Sequence, residues 1–265
     1  MTPGVRVTHI GGPTALIEVG GWSLLTDPTF DPPGQKYNFG WGTSSRKTAG
    51  PAVAAARLPA IDAVLLSHDQ HDDNLDEAGR ALLPSAGVVI TTAAGAKRLG
   101  GGAVGLRPWE TTTLDGDDDR PSIEVTATPC RHGPPVGHLL SGDVIGFALR
   151  WDGQDHGVLW ISGDTVLYDG VREVAERLTV DTAMVHLGGV RFPVTGPARY
   201  TMTAHDAVEL CRLIAPRTVV PIHYEGWRHF QESRAQIQAE FGRASEEFRR
   251  SVKWLPVGEP VQLPD

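Results

Sequence analysis

Only two cysteines, Cys130 and Cys211, occur in 265 residues. Two thiols without a close partner exclude a disulfide-stapled scaffold and a zinc site of paired cysteines. Long apolar runs are missing too: none approaches the roughly 20 residues of a membrane helix, so no span is expected. Positive charge is scarce, with 24 Lys and Arg against 32 Asp and Glu and a formal net charge of -8. That balance argues against a general binder of nucleic acid or anionic membrane, both of which need basic surfaces. No Gly-x-Ser-x-Gly elbow is present, which argues against a serine hydrolase. The segment GGGAVG (100–105) lacks a following Gly-Lys-Ser/Thr and so is no phosphate cradle. It follows Lys97, Arg98 and Leu99 and reads as the end of a short helix. The opening MTPGVRVTHIGG has no charged-then-apolar export pattern, so a cytoplasmic location with reduced thiols is expected.

What the chain does have is 31 Gly and 20 Pro, hence many turns and short elements. Residues 5–10, 14–19 and 22–26 read as strands punctuated by Gly and Pro. The loop 27–51 (PTFDPPGQKYNFGWG at its start) is long for a compact domain and is expected to be a structureless flap over a site. From residue 61 onward, apolar runs repeatedly end in polar groups able to hold a metal. IDAVLLS ends at His68, SIEVTATPC just before Arg131 and His132, and GVLWISG at Asp164. TAMVHL carries His186, and RTVVPI ends at His223. Continuous apolar runs suit strands buried on both faces. Amphipathic stretches at 169–178, 204–215 (behind a Thr203 N-cap) and 228–242 predict helices over the sheets. The acidic turn DGDDD (115–119) is expected to separate two halves, about 1–115 and 120–265, of a single domain spanning 1–265.

Ligands gather where the strands of an α/β fold end. One His after a strand is ordinarily structural, but four strand endings in His or Asp are hard to explain that way. The densest cluster, Ser67-His68-Asp69-Gln70-His71-Asp72-Asp73-Asn74, offers imidazoles and carboxylates of the kind zinc, manganese and iron prefer. Caps for a following helix would explain Asp72, Asp73 and Asn74 but not the two histidines.

The order and spacing of this cluster, of Cys130-Arg131-His132-Gly133, of Ser162-Gly163-Asp164-Thr165 and of Pro221-Ile222-His223-Tyr224 resemble the metallo-β-lactamase superfamily across nearly the whole chain. His9-Ile10-Gly11-Gly12 and Leu25-Thr26-Asp27-Pro28 resemble its branch of ascorbate-phosphate lactonases and N-acylphosphatidylethanolamine phospholipases D. The resemblance implies an α/β fold, a four-layer αβ/βα sandwich. It also implies one or two divalent ions, zinc foremost, with manganese and iron as alternatives. The family motif His-x-His-x-Asp-His is altered here. Without a gap, Gln70 and Asp73 stand where histidines belong; with one extra residue at Gln70, the ligands become His68, His71 and Asp73, and Asn74 replaces the last His. The gapped register is preferred because it restores two imidazoles. The resemblance then implies that His68, His71 and His132 hold a first ion, that Asp73 and His223 hold a second, and that Asp164 bridges them. Losing a histidine at Asn74 leaves the second position weak, suited to a harder ion, or empty.

The expected activity is hydrolysis of an ester, lactone or phosphodiester in a small substrate by metal-activated water, with Asp73 orienting that water and taking its proton. The rivals are an iron-dependent redox member of the superfamily and a non-catalytic binding protein with a degenerate site. Asp27 and His9 are candidates to support the ligating imidazoles. Arg131, Arg191, Tyr224 and Trp227 are candidate substrate contacts, and His186 is expected near the rim. His138, His156, His205 and His229 are expected to be structural or exposed, and Cys130 a small strand-end residue. Nucleic-acid partners and a membrane span are not expected; a homo-oligomer is an open option.

Overall fold

The computed structural model describes residues 4–40, 42–135 and 142–264; His138 lies outside them. Three short strands, β1 (Arg6–Gly11), β2 (Thr14–Val19) and β3 (Trp22–Thr26), form an antiparallel meander. A second hairpin follows, β4 (Lys36–Gly40) with β5 (Thr43–Arg46). The chain then extends the first sheet in parallel with β6 (Ala63–Leu65), β7 (Val88–Thr92) and β8 (Val104–Leu106), and β15 (Pro260–Gln262) closes the edge beside β1. The second sheet is built from β9 (Thr111–Leu114), β10 (Ile123–Pro129), β11 (Ile145–Trp151), β12 (Val158–Ile161), β13 (Val180–His186) and β14 (Thr218–Ile222). Its last three strands run parallel. The acidic turn 115–119 therefore joins β9 to β10 within one sheet, and the chain changes sheets earlier, after β8.

The two sheets pack face to face through Val7, Ile17, Leu24 and Leu65 on one side and Val125, Phe147, Leu159 and Met184 on the other. Each fully buried Leu, Ile or Phe of that layer contributes about 1.5–3 kcal/mol. The outer face of the first sheet is covered by α1 (Glu77–Leu82) and α2 (Ala93–Leu99), through Leu16, Leu25, Val64 and Leu75. The outer face of the second carries α3 (Asp169–Arg177), α4 (Ala204–Ile214), α5 (Arg234–Phe241) and α6 (Glu246–Ser251). The result is the four-layer αβ/βα sandwich. Helix α4 begins at the expected Thr203, whose hydroxyl accepts from Asp206 N while the Asp206 carboxylate accepts from Thr203 N.

Two local expectations change, and one alternative falls away. The loop 27–51 is not structureless, because Tyr37, Thr43 and Ser45 turn inward while Lys36 and Asn38 face out, and Gly40 and Gly42 take the positive φ its turn requires. The cap of α1 is Asp76 rather than Asp72, Asp73 or Asn74. Its buried carboxylate accepts from Gly79 N, Phe30 N and Asp31 N and pairs with buried Lys47 at 2.7 Å, pinning the hairpin loop to the helix. Finally, α5 starts only at Arg234, where Ser233 and Gln236 form a capping box. Residues 228–233 are thereby released from the predicted helix, and His229 enters the interior.

Candidate metal centre

Past β6 the chain turns sharply because Ser67 N donates to Asp27 Oδ1 at 2.6 Å. Ser67 Oγ lies 2.9 Å from His68 Nδ1 and so fixes that ring, leaving Nε2 to face His71 Nδ1 at 2.9 Å. His132, three residues beyond β10, is anchored through Nδ1 to the Tyr200 carbonyl at 2.8 Å, which makes Nε2 its ligating nitrogen. The ligand atoms of these three buried histidines lie within 4.8 Å of one another. Burial holds all three below the ordinary imidazole range, and His71, next to His132, falls to about 4. They are therefore neutral, the form in which imidazole binds metal.

Asp164, His186 and His223 form a second buried set with ligand atoms again within 4.8 Å. Asp164 follows β12, His186 ends β13 and His223 follows β14, so three adjacent parallel strands deliver them. His186 Nδ1 donates to Asp164 Oδ1 at 2.8 Å. His223 sits in left-handed backbone (φ 59°), unusual without glycine and held there by its N–H on the Gly12 carbonyl. Its Nδ1 donates to the Leu187 carbonyl, and its Nε2 lies 3.4 Å from Asp164 Oδ2 and 3.8 Å from Asp73 Oδ2. Burial would raise Asp73 and Asp164. The imidazoles facing them, His223 and His229 for Asp73 and His223 and His186 for Asp164, hold both below the usual carboxylate range instead. Burial would likewise lower His223, but Asp164 and Asp73 push it up to about 9.

Asp164 Oδ2, His223 Nε2 and His186 Nε2 are buried with no hydrogen-bond partner. Buried polar atoms are normally hydrogen-bonded, and here the carboxylate oxygen and the His223 nitrogen have only their mutual contact at 3.4 Å and that of His223 with Asp73 at 3.8 Å. A cation between these groups would satisfy carboxylate and imidazole together, so the residues present fit a metal.

The model for the beta-lactamase superfamily domain matches residues 23–224. The chain belongs to the metallo-β-lactamase superfamily. A UPF0173 metal-dependent hydrolase of Pelotomaculum thermopropionicum is 26% identical, the alignment covering 98% of this chain and 100% of that protein. Among solved structures, an isothiocyanate hydrolase from Delia radicum gut bacteria superposes with a TM-score of 0.77 at 21% identity, over 97% and 98% of the two chains. The diiron β-hydroxylase CmlA of Streptomyces venezuelae shares the fold at TM-score 0.65 and 15% identity, over 99% of this chain and 54% of its own. At such identities the structural likenesses speak for the fold alone.

Within this superfamily fold, the structure brings the six sequence-derived residues His68, His71, Asp73, His132, Asp164 and His223 into one buried region. His71, not Gln70, faces His68 and His132. Gln70 turns outward to the Asp143 carbonyl and Arg98. Asp72 is half-buried near Asp73, Asp76 and Arg80. Asn74 is tied to the turn before His68: its amide nitrogen donates to Asp27 Oδ2 and Ser67 Oγ. Asp27 thus supports His68 through Ser67. His9 does not support a ligand, since its Nε2 bonds the Gly12 carbonyl.

Several other expectations are corrected. His186 is fully buried on Asp164 and does not line the rim. Tyr224 and Trp227 are buried packing residues, against Trp254 and Tyr37 respectively. The Arg131 guanidinium lies over the Tyr168 ring. His156 and His205 are exposed as expected, and Cys130 donates to the Ser162 carbonyl as a strand-end residue. His229 is neither remote nor exposed: its Nε2 lies 3.0 Å from Asp73 Oδ2. The only sequence signal for it was position, six residues after His223 and short of the Ser233 cap.

Proposed function

We propose that this metal-dependent hydrolase cleaves an ester, lactone or phosphodiester bond in a small, negatively charged substrate. The observation that carries the reading is the presence, in one buried region, of three neutral imidazoles together with Asp164 Oδ2 and His223 Nε2, which are 3.4 Å apart and have no hydrogen-bond partner. His68, His71 and His132 would hold one divalent ion; Asp164, His223 and Asp73 would hold a second, with Asp164 shared. When bound, such an ion lowers the pKa of a water from 15.7 to about 7 and polarises the bond under attack. The rest falls to the protein's own groups. Asp73, whose Oδ2 faces the His229 and His223 rings, keeps its other oxygen for orienting the attacking water and taking its proton. Phe39, on the β4–β5 hairpin, packs 5.8 Å from the His71 ring and 5.3 Å from His229 and keeps bulk water from that side.

Charge selects the substrate. A cavity of about 480 Å³ has His229 and Phe192 in its wall together with Lys36, Arg46, Arg191 and Arg228. No Asp or Glu lines it, and none of the four cations forms an ion pair among the described residues. On a chain of net charge -8, a cation-lined cavity against the metal region favours a carboxylate- or phosphate-bearing substrate. The test compares chelator-stripped and metal-reconstituted protein on small esters, lactones and phosphodiesters, each with and without an anionic group. Activity should require metal and favour the anionic member of each pair, and Arg191→Gln/Arg228→Gln should raise KM for that member alone. Turnover indifferent to chelation would sink the reading.

A further inference from the structure

We propose that His229 is a ligand of the second metal position and replaces, from another part of the chain, the imidazole lost at Asn74. The inference rests on the metal reading above and adds a residue to it. Asn74 is committed elsewhere, its amide holding Asp27 and Ser67 in the turn before His68. With the His186 ring held to Asp164 through Nδ1, the second position would otherwise have two carboxylates and the His223 imidazole.

His229 supplies the missing donor. Its Nε2 is 3.0 Å from Asp73 Oδ2, Asp73 Oδ2 is 3.8 Å from His223 Nε2, and His223 Nε2 is 3.4 Å from Asp164 Oδ2. Ligands about 2.1 Å from a tetrahedral ion stand about 3.4 Å apart, so each neighbouring pair in this chain is spaced as two ligands of one ion are. The ring cannot swing away. It stacks on Phe192 (5.2 Å, 27°) and meets Phe39 and Phe230 edge-on at 5.3 and 4.8 Å. Its Nδ1 is buried without a hydrogen-bond partner, so aromatic packing and the Asp73 contact, rather than an acceptor at Nδ1, set its orientation. His68 and His132 do have such acceptors or hydroxyls at their second nitrogen. An imidazole lacking that support is a weaker ligand, which makes the second position the looser one.

The experiment is a titration of chelator-stripped protein with Mn(II), the unbound ion followed by electron paramagnetic resonance. Wild type, His229→Ala, His229→Gln and His186→Ala are compared, with folding checked by near-ultraviolet circular dichroism. Wild type should take up two equivalents, the second more weakly. Both His229 variants should keep the tight equivalent and bind the second at least about tenfold more weakly, and the glutamine variant guards against a mere packing defect. Two unchanged equivalents in the His229 variants would overturn the proposal, as would loss of the second equivalent in His186→Ala alone. A wild type that binds one equivalent refutes the role of His229 while leaving a one-metal hydrolase standing. A wild type that binds none refutes the hydrolase reading itself.

Discussion

The two buried ligand sets solve the same problem differently. In the first, three imidazoles meet with no carboxylate among them, two are braced by Ser67 and Tyr200, and burial keeps all neutral. In the second, carboxylates and imidazoles face one another closely enough to pair internally, and His223 is driven up to about 9. The first is a receptor already in its binding state. The second has a substitute for the ion in its own His–Asp contacts, so a metal must displace a proton to enter. The difference teaches that a buried His–Asp cluster can be stable without metal and still be built for one, and it predicts unequal occupancy of the two positions.

The largest effect should come from breaking the preformed set. His132→Ala removes one of three donors to the first ion. We expect loss of the tight equivalent and a fall in turnover of a thousandfold or more, about 4 kcal/mol in the barrier. Turnover against metal content checks this, and a variant that keeps both would invert the ranking of the two sets. Next is the brace beside the first set. Lys47 and Asp76 are a buried pair at 2.7 Å, with 3% and 0% of their side chains exposed. Lys47→Met leaves that carboxylate without its cation and should cost about 3 kcal/mol, the low end for a broken buried pair because three backbone N–H groups still bind Asp76. Urea denaturation measures it, and an unchanged midpoint would mean the hairpin is held by other contacts. Smaller again is Asp164→Asn. Shape is kept while the shared carboxylate is weakened, so the second equivalent should leave and activity should fall roughly a hundredfold with the fold intact. If metal content and turnover both survive, Asp164 only orients His186 and His223, and a bridged site has to be abandoned.

Legibility in the sequence followed the same divide. The strands that deliver His132, Asp164, His186 and His223 were readable because each is an apolar run ending in a polar ligand, a signal that needs only local order. The layers were readable from the alternation of such runs with amphipathic stretches. Around the first motif the local signal misled. Asn74 looked like a degraded ligand, yet it is the donor that holds Asp27, a partner 47 residues away in sequence. Capping was an alternative for Asp72, Asp73 and Asn74, while the cap, Asp76, is identified by its reach to Phe30, Asp31 and Lys47. His229 was hidden because a helical pattern ran through it; only the Ser233–Gln236 capping box starts that helix late enough to leave the ring facing Asp73. Long-range hydrogen bonds leave no periodicity, so residues placed by them were the ones misjudged.

The mildest perturbation probes the support under the first set. Burial, aided by the charge of Asp164, raises the Asp27 carboxyl from 3.8 to about 8 despite its bonds from Ser67 and Asn74. In unfolded chain the group releases its proton near 3.8, so between about pH 4 and pH 8 the folded protein binds a proton that the unfolded chain has lost. The contribution of Asp27 therefore falls as pH rises through that window, by about 1 kcal/mol per pH unit, and levels off above it, while the buried neutral His68, His71 and His132 contribute in the opposite sense below 6.5. His223 also loses stabilisation as pH rises, but between its ordinary 6.5 and about 9, so the two are separable by substitution. Asp27→Asn mimics the protonated carboxyl. Its new N–H₂ would face the Asn74 amide nitrogen, and a flip of Asn74 resolves this by presenting Oδ1, which has no partner in the wild type. We expect metal-stripped Asp27→Asn to fold, and its urea stability to rise with pH more steeply than that of the wild type, by about 1 kcal/mol per pH unit from pH 5 to pH 6.5, where His223 does not contribute. Parallel wild-type and variant curves across that interval would show that Asp27 is ionised in the folded protein. Its contacts with Ser67 and Asn74 would then be charge-assisted, and the turn before His68 would be held by a carboxylate anion like those of the second set.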